Sequence, residues 1–400
     1  MIKAAIMGFG TVGSGIYEII KNHDFEKKIG EEIEISKILD IRDFEDNEFS
    51  KIVTKDFEDI LNDNSIKVAA EAMGGLHPAY EFTKKLLQAG KSVVTSNKEL
   101  VATYGTELLE IAKENNVCYL FEASVGGGIP IIRPLTSCLL SNDILRIAGI
   151  LNGTTNYILT QMFENGKSFE VALSDAQKLG YAERNPAADV EGHDACRKIA
   201  ILSSLAWGEF VDYNDIYTEG ITNITLADVS CAEKYNSVIK LIGYAENKNG
   251  AVSAMVRPML VKKGSPLAGV NDVFNAILVT GDSLGDAMFY GKGAGKLATA
   301  SAVVADIIDC VKHNGEKKHT INWKGTTGRK IEAYDECEAC FMVRIKASED
   351  EKKLLDDIAE NILEEGKEIC FVSVKIKEKL LKEKLGKISG EKTIIRILED

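Results

Sequence analysis

The amino terminus constrains this chain more than any other stretch. Ile2 to Met7 reads as a short buried strand, Gly8-Phe9-Gly10-Thr11-Val12-Gly13 comes directly after it, and Ile16, Ile19 and Ile20 then recur with helical period. In such a strand-turn-helix unit Gly8 permits the tight turn and Gly10 lets a pyrophosphate approach the backbone. Gly13 lets helix and strand pack closely, with phosphates at the positive helix end. Gly8, Gly10, Thr11, Val12 and Gly13 are therefore the expected cofactor-binding turn, set against the plainer reading of a glycine turn that serves chain geometry alone.

Strand and helix then alternate along the chain. A strand at Ile33–Leu39 ends at Asp40, with Arg42 just beyond. Asp40 could accept both ribose hydroxyls of NAD, whereas Arg42 would suit the 2′-phosphate of NADP, and both readings stay open. Strands at Lys67–Ala72, Lys91–Val94 and Cys118–Ala123 alternate with helices from Pro78 to Gly90 and from Lys98 to about Asn115. This alternation predicts an α/β fold with a Rossmann-type doubly wound parallel sheet. Ligands of such a sheet lie at the carboxyl ends of strands, where Thr95, Ser96 and Lys98 fall. A lysine at a helix start is disfavoured by the dipole, so Lys98 is a candidate for work on cofactor or substrate.

Composition narrows the partners. Across 400 residues, 48 Lys and Arg face 61 Asp and Glu, a net charge of −13, so neither nucleic acid nor an anionic membrane is an expected partner. With 45% hydrophobic residues the chain can bury two or three domain cores. No apolar run reaches the roughly 18–20 residues of a spanning helix, and the start lacks a signal-peptide pattern, so a soluble cytoplasmic protein is expected. The eight Cys are scattered through apolar segments and read as free thiols. His23, His77, His193, His313 and His319 are not spaced as a metal cluster, and the lone Cys337-x-x-Cys340 is no zinc site.

A run from His193 to Trp207 reads as helix and carries Asp194 and Lys198 four apart, hence on one face. Alone, such a pair is an exposed salt bridge. It comes after a polar loop holding Glu183 and Asp189, on a helix otherwise rich in Ala, Ile and Leu, so a pair facing a cleft is the competing expectation. Gly153-Thr154-Thr155 offers backbone and hydroxyl donors to a carboxylate. The glycine-rich loop after Glu122 could give a hard cation one carboxylate and several carbonyls.

Several long stretches resemble the homoserine dehydrogenase family, in the same order. They are Gly74–Ala79, Gly90–Lys98, Glu122–Pro130, Gly149–Ile158, Gly180–Glu183 and Asn185–Lys198; Gly291–Ser301 resembles the family's GAGxxPTASAV turn, with Ala298 in place of its proline. The resemblance covers residue 1 to about 312. It implies reversible NAD(P)H-dependent reduction of L-aspartate 4-semialdehyde to L-homoserine, in threonine and methionine biosynthesis, by direct hydride transfer. It further implies Lys198 as general acid, Asp194 holding it, Lys98 as a second cation, Glu183 and Asp189 on the substrate amine, Gly153 and Thr154 on its carboxylate, and Gly293 beside the cofactor. A monovalent cation, sodium, is implied at Glu122, Val125, Gly127 and Ile129, and a homodimer or homotetramer as the assembly. Another Rossmann-type semialdehyde dehydrogenase and a non-catalytic nucleotide sensor are the competing readings.

The expected organisation is a cofactor domain of residues 1–133 plus about 300–320, an α+β substrate-binding and dimerisation domain of 134–299 with strands near Ile216–Ile221 and Ala251–Val261, a linker over 313–335, and a tail of 336–400. The tail reads as strand Phe341–Ile345, helix Asp350–Glu364, strand Glu368–Ile376, helix Glu378–Leu385 and strand Thr393–Leu398. That order suits a small ferredoxin-like fold and resembles an ACT domain in length and element order only, one strand being hard to find.

Overall fold

Six strands, β1 (Ile2–Met7), β2 (Ile33–Leu39), β3 (Val53–Thr54), β4 (Ile66–Glu71), β5 (Ser92–Thr95) and β6 (Tyr119–Leu120), form one sheet in the order β3-β2-β1-β4-β5-β6. Every neighbouring pair is parallel. The computed structural model describes residues 1–44, 47–248, 250–312, 321, 323–325, 330–365 and 368–399. It divides into two compact units, one of Met1–Asp143, Ala200–Asp212 and Gly291–Arg329, the other of Ile144–Ile199, Tyr213–Tyr290 and Lys330–Asp400.

The first unit holds the parallel sheet. Ala4 to Met7 are fully buried, as a strand covered by helices on both faces requires. The strand order reverses between β1 and β4, and there the chain leaves β1 for helix α1 (Thr11–Asn22). A Cβ on Gly15 would lie 2.9 Å from the Ala300 Cβ and 2.8 Å from the Lys296 carbonyl, so α1 and the helix Lys296–Lys312 meet backbone to backbone. That late helix adds Val303, Val304, Ile307 and Cys310 to the core of Ile6, Ile16, Val68 and Val94. Helices α2 (Ala79–Gln88) and α3 (Lys98–Glu114) complete the crossovers.

Two expectations change here. The strand expected over Cys118–Ala123 is only Tyr119–Leu120, followed by a 3₁₀ turn at Glu122–Ser124. Much of the expected linker, with His313 and His319, lies outside the described residues. Trp323 within it is buried, its indole N–H donating to the Thr106 hydroxyl at 2.9 Å, and a Cβ on Gly105 would lie 2.6 Å from its ring. At this point the segment is docked on α3 rather than solvated.

The second unit is built on a mixed sheet of β7 (Ile144–Ile150), β8 (Tyr217–Thr218), β9 (Ser237–Lys248), β10 (Ala251–Lys262), β11 (Phe274–Gly281), β12 (Gly285–Lys292) and four tail strands. The tail contributes β13 (Glu338–Ala339), β14 (Phe341–Ile345), β15 (Ala359–Glu365), β16 (Ile369–Ser373), β17 (Ile376–Lys377) and β18 (Lys392–Ile397). The path is β12-β11-β7-β9-β10-β18-β14-β16-β15, with β8 paired to β10, while β13 and β17 form a separate pair. Its helices include α4 (Gly153–Asn165), residues 193–199 of α5 (His193–Trp207), α6 (Leu226–Lys234) and α7 (Glu378–Leu385).

Within the tail the spatial order β18-β14-β16-β15, antiparallel throughout, places the fourth strand beside the first and the third beside the second, the ferredoxin-like arrangement. The strand that the sequence hid is β15. Where a helix is expected over Asp350–Glu364, only one turn, Glu349–Lys352, and a 3₁₀ turn at Lys353–Leu355 form before β15 begins. Its Ala, Glu and Leu residues favour helix, but pairing with β16 prevails, and two register shifts erase the period-two pattern. An edge strand this charged also discourages pairing with other chains. The expected strand at Ile216–Ile221 contracts to β8, and that at Glu368–Ile376 breaks into β16 and the start of β17.

Two devices join the tail to the rest of the unit. On α6, Asp228 and Lys234 reach the successive tail strands β14 and β15 through Arg344 at 2.8 Å and Glu364 at 2.5 Å. β18 lies parallel to β10, pairing Met259 with Arg396 and Leu260 with Ile397. Beside that seam Arg257 of β10, 2% exposed, meets Glu378 of α7, which is fully buried, at 2.5 Å and Glu219 at 3.1 Å.

Candidate active site

The glycine turn has the geometry of an anion cradle. Gly8 has φ +90°, and a Cβ on it would lie 2.8 Å from the Ala72 and Met73 backbone. A Cβ on Gly13 would lie 2.0 Å from the Gly8 carbonyl oxygen, whereas one on Gly10 would meet nothing within 4 Å. Gly10 caps α1 without a side-chain bond, and the first turn of Thr11, Val12 and Gly13 holds no acid, so its N–H groups face no competing carboxylate of their own turn. The residues present therefore fit a dinucleotide pyrophosphate.

Asp40 and Arg42, the rival ribose contacts, are partners. The guanidinium forks onto the carboxylate with Nε to Oδ1 and Nη2 to Oδ2, both at 2.9 Å, and Nη2 also donates to the Phe9 carbonyl at 2.8 Å. Asp40 Oδ2 accepts the Phe9 N–H at 2.8 Å. Arg42, with the Phe9 N–H helping, holds the Asp40 carboxyl well below the usual carboxylate range against the opposing effect of burial. The fork faces the glycine turn through Phe9, while the arginine side chain stays 55% exposed.

At the ends of β4 and β5, Thr95 is already engaged. Its hydroxyl donates to Glu71 Oε2 at 2.5 Å and accepts the Asn97 N–H at 2.9 Å. Glu71, which sequence reasoning missed, is fully buried and takes the Met73 and Gly74 N–H groups at 2.8 and 3.3 Å; burial pushes its carboxyl up. A single acid closing an apolar strand was the available signal. Asn97 caps α3, accepting the Leu100 N–H at 3.1 Å, so Lys98 starts the helix behind a cap, half-buried like Ser96.

The loop expected to hold a cation is ordered by its own side chains. Glu122, 2% exposed, accepts the N–H groups of Ile131, Ile132 and Arg133 at 2.6, 2.8 and 2.7 Å. Its own N–H donates to Asp306, which also takes Arg133 Nη2 at 2.7 Å, and burial with the nearby Glu122 charge pushes the Asp306 carboxyl well up. The Glu122 carboxylate is thus taken up by backbone, and among the described residues no group of three His, Cys, Asp or Glu is arranged around a metal. What the loop can offer a cation is main-chain carbonyls, those of Val125, Gly127 and Ile129 included. Gly127 lies against Gly293, where a Cβ would be 2.2 Å from the Gly293 carbonyl oxygen.

The second unit gathers the acid–base groups. Lys198 and Asp194, 7% and 4% exposed, meet at 2.8 Å on the first turns of α5. Lys198 Nζ also donates to the Leu151 carbonyl at 2.7 Å. This is not an exposed surface pair. A buried ion pair is weak as a stabilising device, so its presence asks for another use. Asn152, also missed by sequence reasoning, ties the cluster: its amide donates to Asp189 at 2.7 Å and to Asp194 at 2.9 Å. Gly153 begins α4, Thr154 donates its hydroxyl to the Tyr181 carbonyl at 2.6 Å, and Glu183 is exposed nearby in sequence.

A parallel sheet of this order, with a helix start at its switch point that no side chain caps, is the architecture of the NAD(P)-dependent oxidoreductases. Family models agree: "Homoserine dehydrogenase, NAD binding domain" matches residues 8–122 and "Homoserine dehydrogenase" matches 130–308. A homoserine dehydrogenase of Synechocystis is 45% identical over 318 residues, 78% of this chain and 73% of that protein. The crystal structure of a homoserine dehydrogenase from Thiobacillus denitrificans superposes with TM-score 0.92 at 32% identity, covering 100% of this chain and 98% of that one. A hyperthermophilic archaeal homoserine dehydrogenase, solved in complex with NADPH, matches 79% of this chain and 99% of its own at 30% identity and TM-score 0.67. The chain belongs to the homoserine dehydrogenase family. No helix among the described residues is long and apolar enough to cross a membrane.

Proposed function

We propose that this protein reduces L-aspartate 4-semialdehyde to L-homoserine reversibly with NAD(P)H, serving threonine and methionine biosynthesis. The observation that carries the reading is the buried Lys198, held by Asp194 at 2.8 Å and the Leu151 carbonyl at 2.7 Å. The dinucleotide, bound at Gly8–Gly13, supplies the hydride. Lys198 Nζ stabilises the developing alkoxide as an ammonium and transfers a proton to it; in the oxidation it takes that proton back. Asp194 fixes the direction of the ammonium. Asp189, Asp194 and Lys198 carry a combined charge of −1, which suits a substrate that brings its own ammonium, with Glu183 as a further acid. The start of α4 at Gly153 and Thr154 offers N–H groups to the substrate carboxylate, and Lys98 is a second cation for the carbonyl or the cofactor.

Sodium, held by main-chain carbonyls at Glu122, Val125, Gly127 and Ile129, would fix the glycine loop without entering the chemistry. Thr95, Ser96 and Gly293 contribute backbone and shape at the cofactor edge. The reading includes a cytoplasmic homodimer or homotetramer, with a cofactor domain of 1–133 plus about 300–320, a substrate and dimerisation domain of 134–299, and an ACT-like regulatory tail of 336–400. Steady-state assay with aspartate semialdehyde or homoserine and either nicotinamide tests the activity. Lys198→Ala should lower kcat by about 10²–10⁴-fold while the dissociation constant of NADPH stays unchanged. A nucleotide sensor would be indifferent to the substitution, and absence of turnover by the unaltered protein would refute the reading.

A further inference from the structure

Asn152 stands at the junction of β7 and α4, 6% exposed, with φ −134° and ψ 120°. Its two side-chain ends do different things. Oδ1 accepts the Thr155 N–H at 2.9 Å and the Thr155 hydroxyl at 3.1 Å, which caps α4. Nδ2 donates to Asp189 Oδ1 at 2.7 Å and Asp194 Oδ2 at 2.9 Å, and that same Oδ2 takes Lys198 Nζ. The orientation of the amide is fixed by chemistry: reversed, it would present a carbonyl oxygen to two carboxylates and an NH₂ to a backbone N–H.

We infer that Asn152 is a positioning residue for the reduction, a neutral double donor that spans Asp189 and Asp194 and thereby sets the aim of Lys198. The inference rests on the roles proposed for Lys198 and Asp194. A neutral amide suits this place better than a cation. It donates to two carboxylates at once, and it adds no positive charge to compete with the substrate ammonium. Holding Asp194 Oδ2 by a second bond beside the one to its lysine also leaves the carboxylate little freedom to swing, so the ammonium it orients keeps one direction. The capping function is separable, since Ser, Asp and Asn are nearly equal as helix caps, and only Asn has an NH₂ to offer the two acids.

Asn152→Ser and Asn152→Asp make the test, with thermal midpoint and NADPH dissociation constant measured beside kcat, KM and the primary deuterium isotope effect with C4-deuterated reductant. A residue that only caps predicts that the serine variant matches the unaltered protein in kcat and isotope effect. Positioning predicts unchanged NADPH binding, with kcat falling about 10–100-fold in the serine variant and further in the aspartate variant, whose third acid beside Asp189 and Asp194 also lowers the midpoint. The isotope effect on kcat should rise as the chemical step becomes limiting. Variants folded at the assay temperature with unaltered kcat and isotope effect would overturn the inference, as would a loss of kcat matched by an equal loss of NADPH binding. If Lys198→Ala lost turnover while Asn152→Ser kept it, the positioning role alone would fall; if Lys198→Ala kept it, both would.

Discussion

Replacing Arg257 by Met should destabilise the second unit by about 3 kcal/mol, the low end of the 3–5 kcal/mol cost of orphaning a buried charge. The structure sets that choice. Glu378 is fully buried and loses its 2.5 Å partner, but Lys382 remains 2.8 Å from its other oxygen with access to water. The reverse change, Glu378→Leu, should cost a similar amount, because Arg257 keeps Glu219 at 3.1 Å and the face of Tyr217 at 5.4 Å. Removing both charges together should cost far less than the sum, within about 1 kcal/mol of the unaltered protein, since the ions then left over, Glu219 and Lys382, are 34% and 42% exposed and keep water. Urea unfolding at pH 7 followed by far-ultraviolet circular dichroism reads all three. Additive losses, or single losses below about 1 kcal/mol, would refute the argument that a desolvated pair fastens the tail. The acid limb gives a second reading. Burial pushes the Glu378 carboxyl up, but attraction to Arg257 and hydrogen bonds from Arg257 and Lys382 outweigh it, so the net shift is downward. A depressed carboxylate contributes stability above its unfolded value, about pH 4.3, and loses it as pH falls through the folded value. Arg257→Met should therefore lose less stability than the unaltered protein on acidification below about pH 4.3.

Two predictions concern the cofactor. Gly13→Ala would drive a Cβ to 2.0 Å from the Gly8 carbonyl, so α1 must move off β1, and NADPH affinity measured by fluorescence titration should fall at least about tenfold; an unchanged dissociation constant would sink the cradle reading. Arg42→Ala should lower the ratio of kcat/KM for NADPH over NADH by about 10–100-fold, the scale of hydrogen bonds to a charged phosphate, and it frees Asp40 for a ribose. A ratio that does not move would show that Arg42 serves Asp40 alone.

How much of the fold and site was legible in the sequence depended on the range of the interaction. The parallel sheet was, because a strand buried on both faces is continuously apolar, as Ala4–Met7 are, and the pairing of Asp194 with Lys198 came from four-residue spacing alone. The cap at Asn152 went unread, although an Asn before a helix start is a local signature. Its amide was not legible, since the two carboxylates it spans lie 37 and 42 residues away. The same holds for Glu122, whose acid and neighbouring glycines suggest a cation until the chain folds three N–H groups onto the carboxylate. Thr95 looked available for a ligand because nothing local reveals Glu71 across the neighbouring strand. β15 was hidden for the opposite reason, its residues having a real helical preference that the edge of the sheet overrides.

The seam between β10 and β18 restricts how such a protein can change over generations. Because the tail supplies a strand to the same sheet as the β9–β10 hairpin, a shortened chain ending near residue 330 would not be a simpler enzyme. It would bare part of β10 as a new edge open to foreign strands, and would leave Arg257 facing Glu219 alone. A lineage that discards or exchanges this module must therefore recompose β10 in the same event, since gradual erosion of the tail passes through an unfinished sheet.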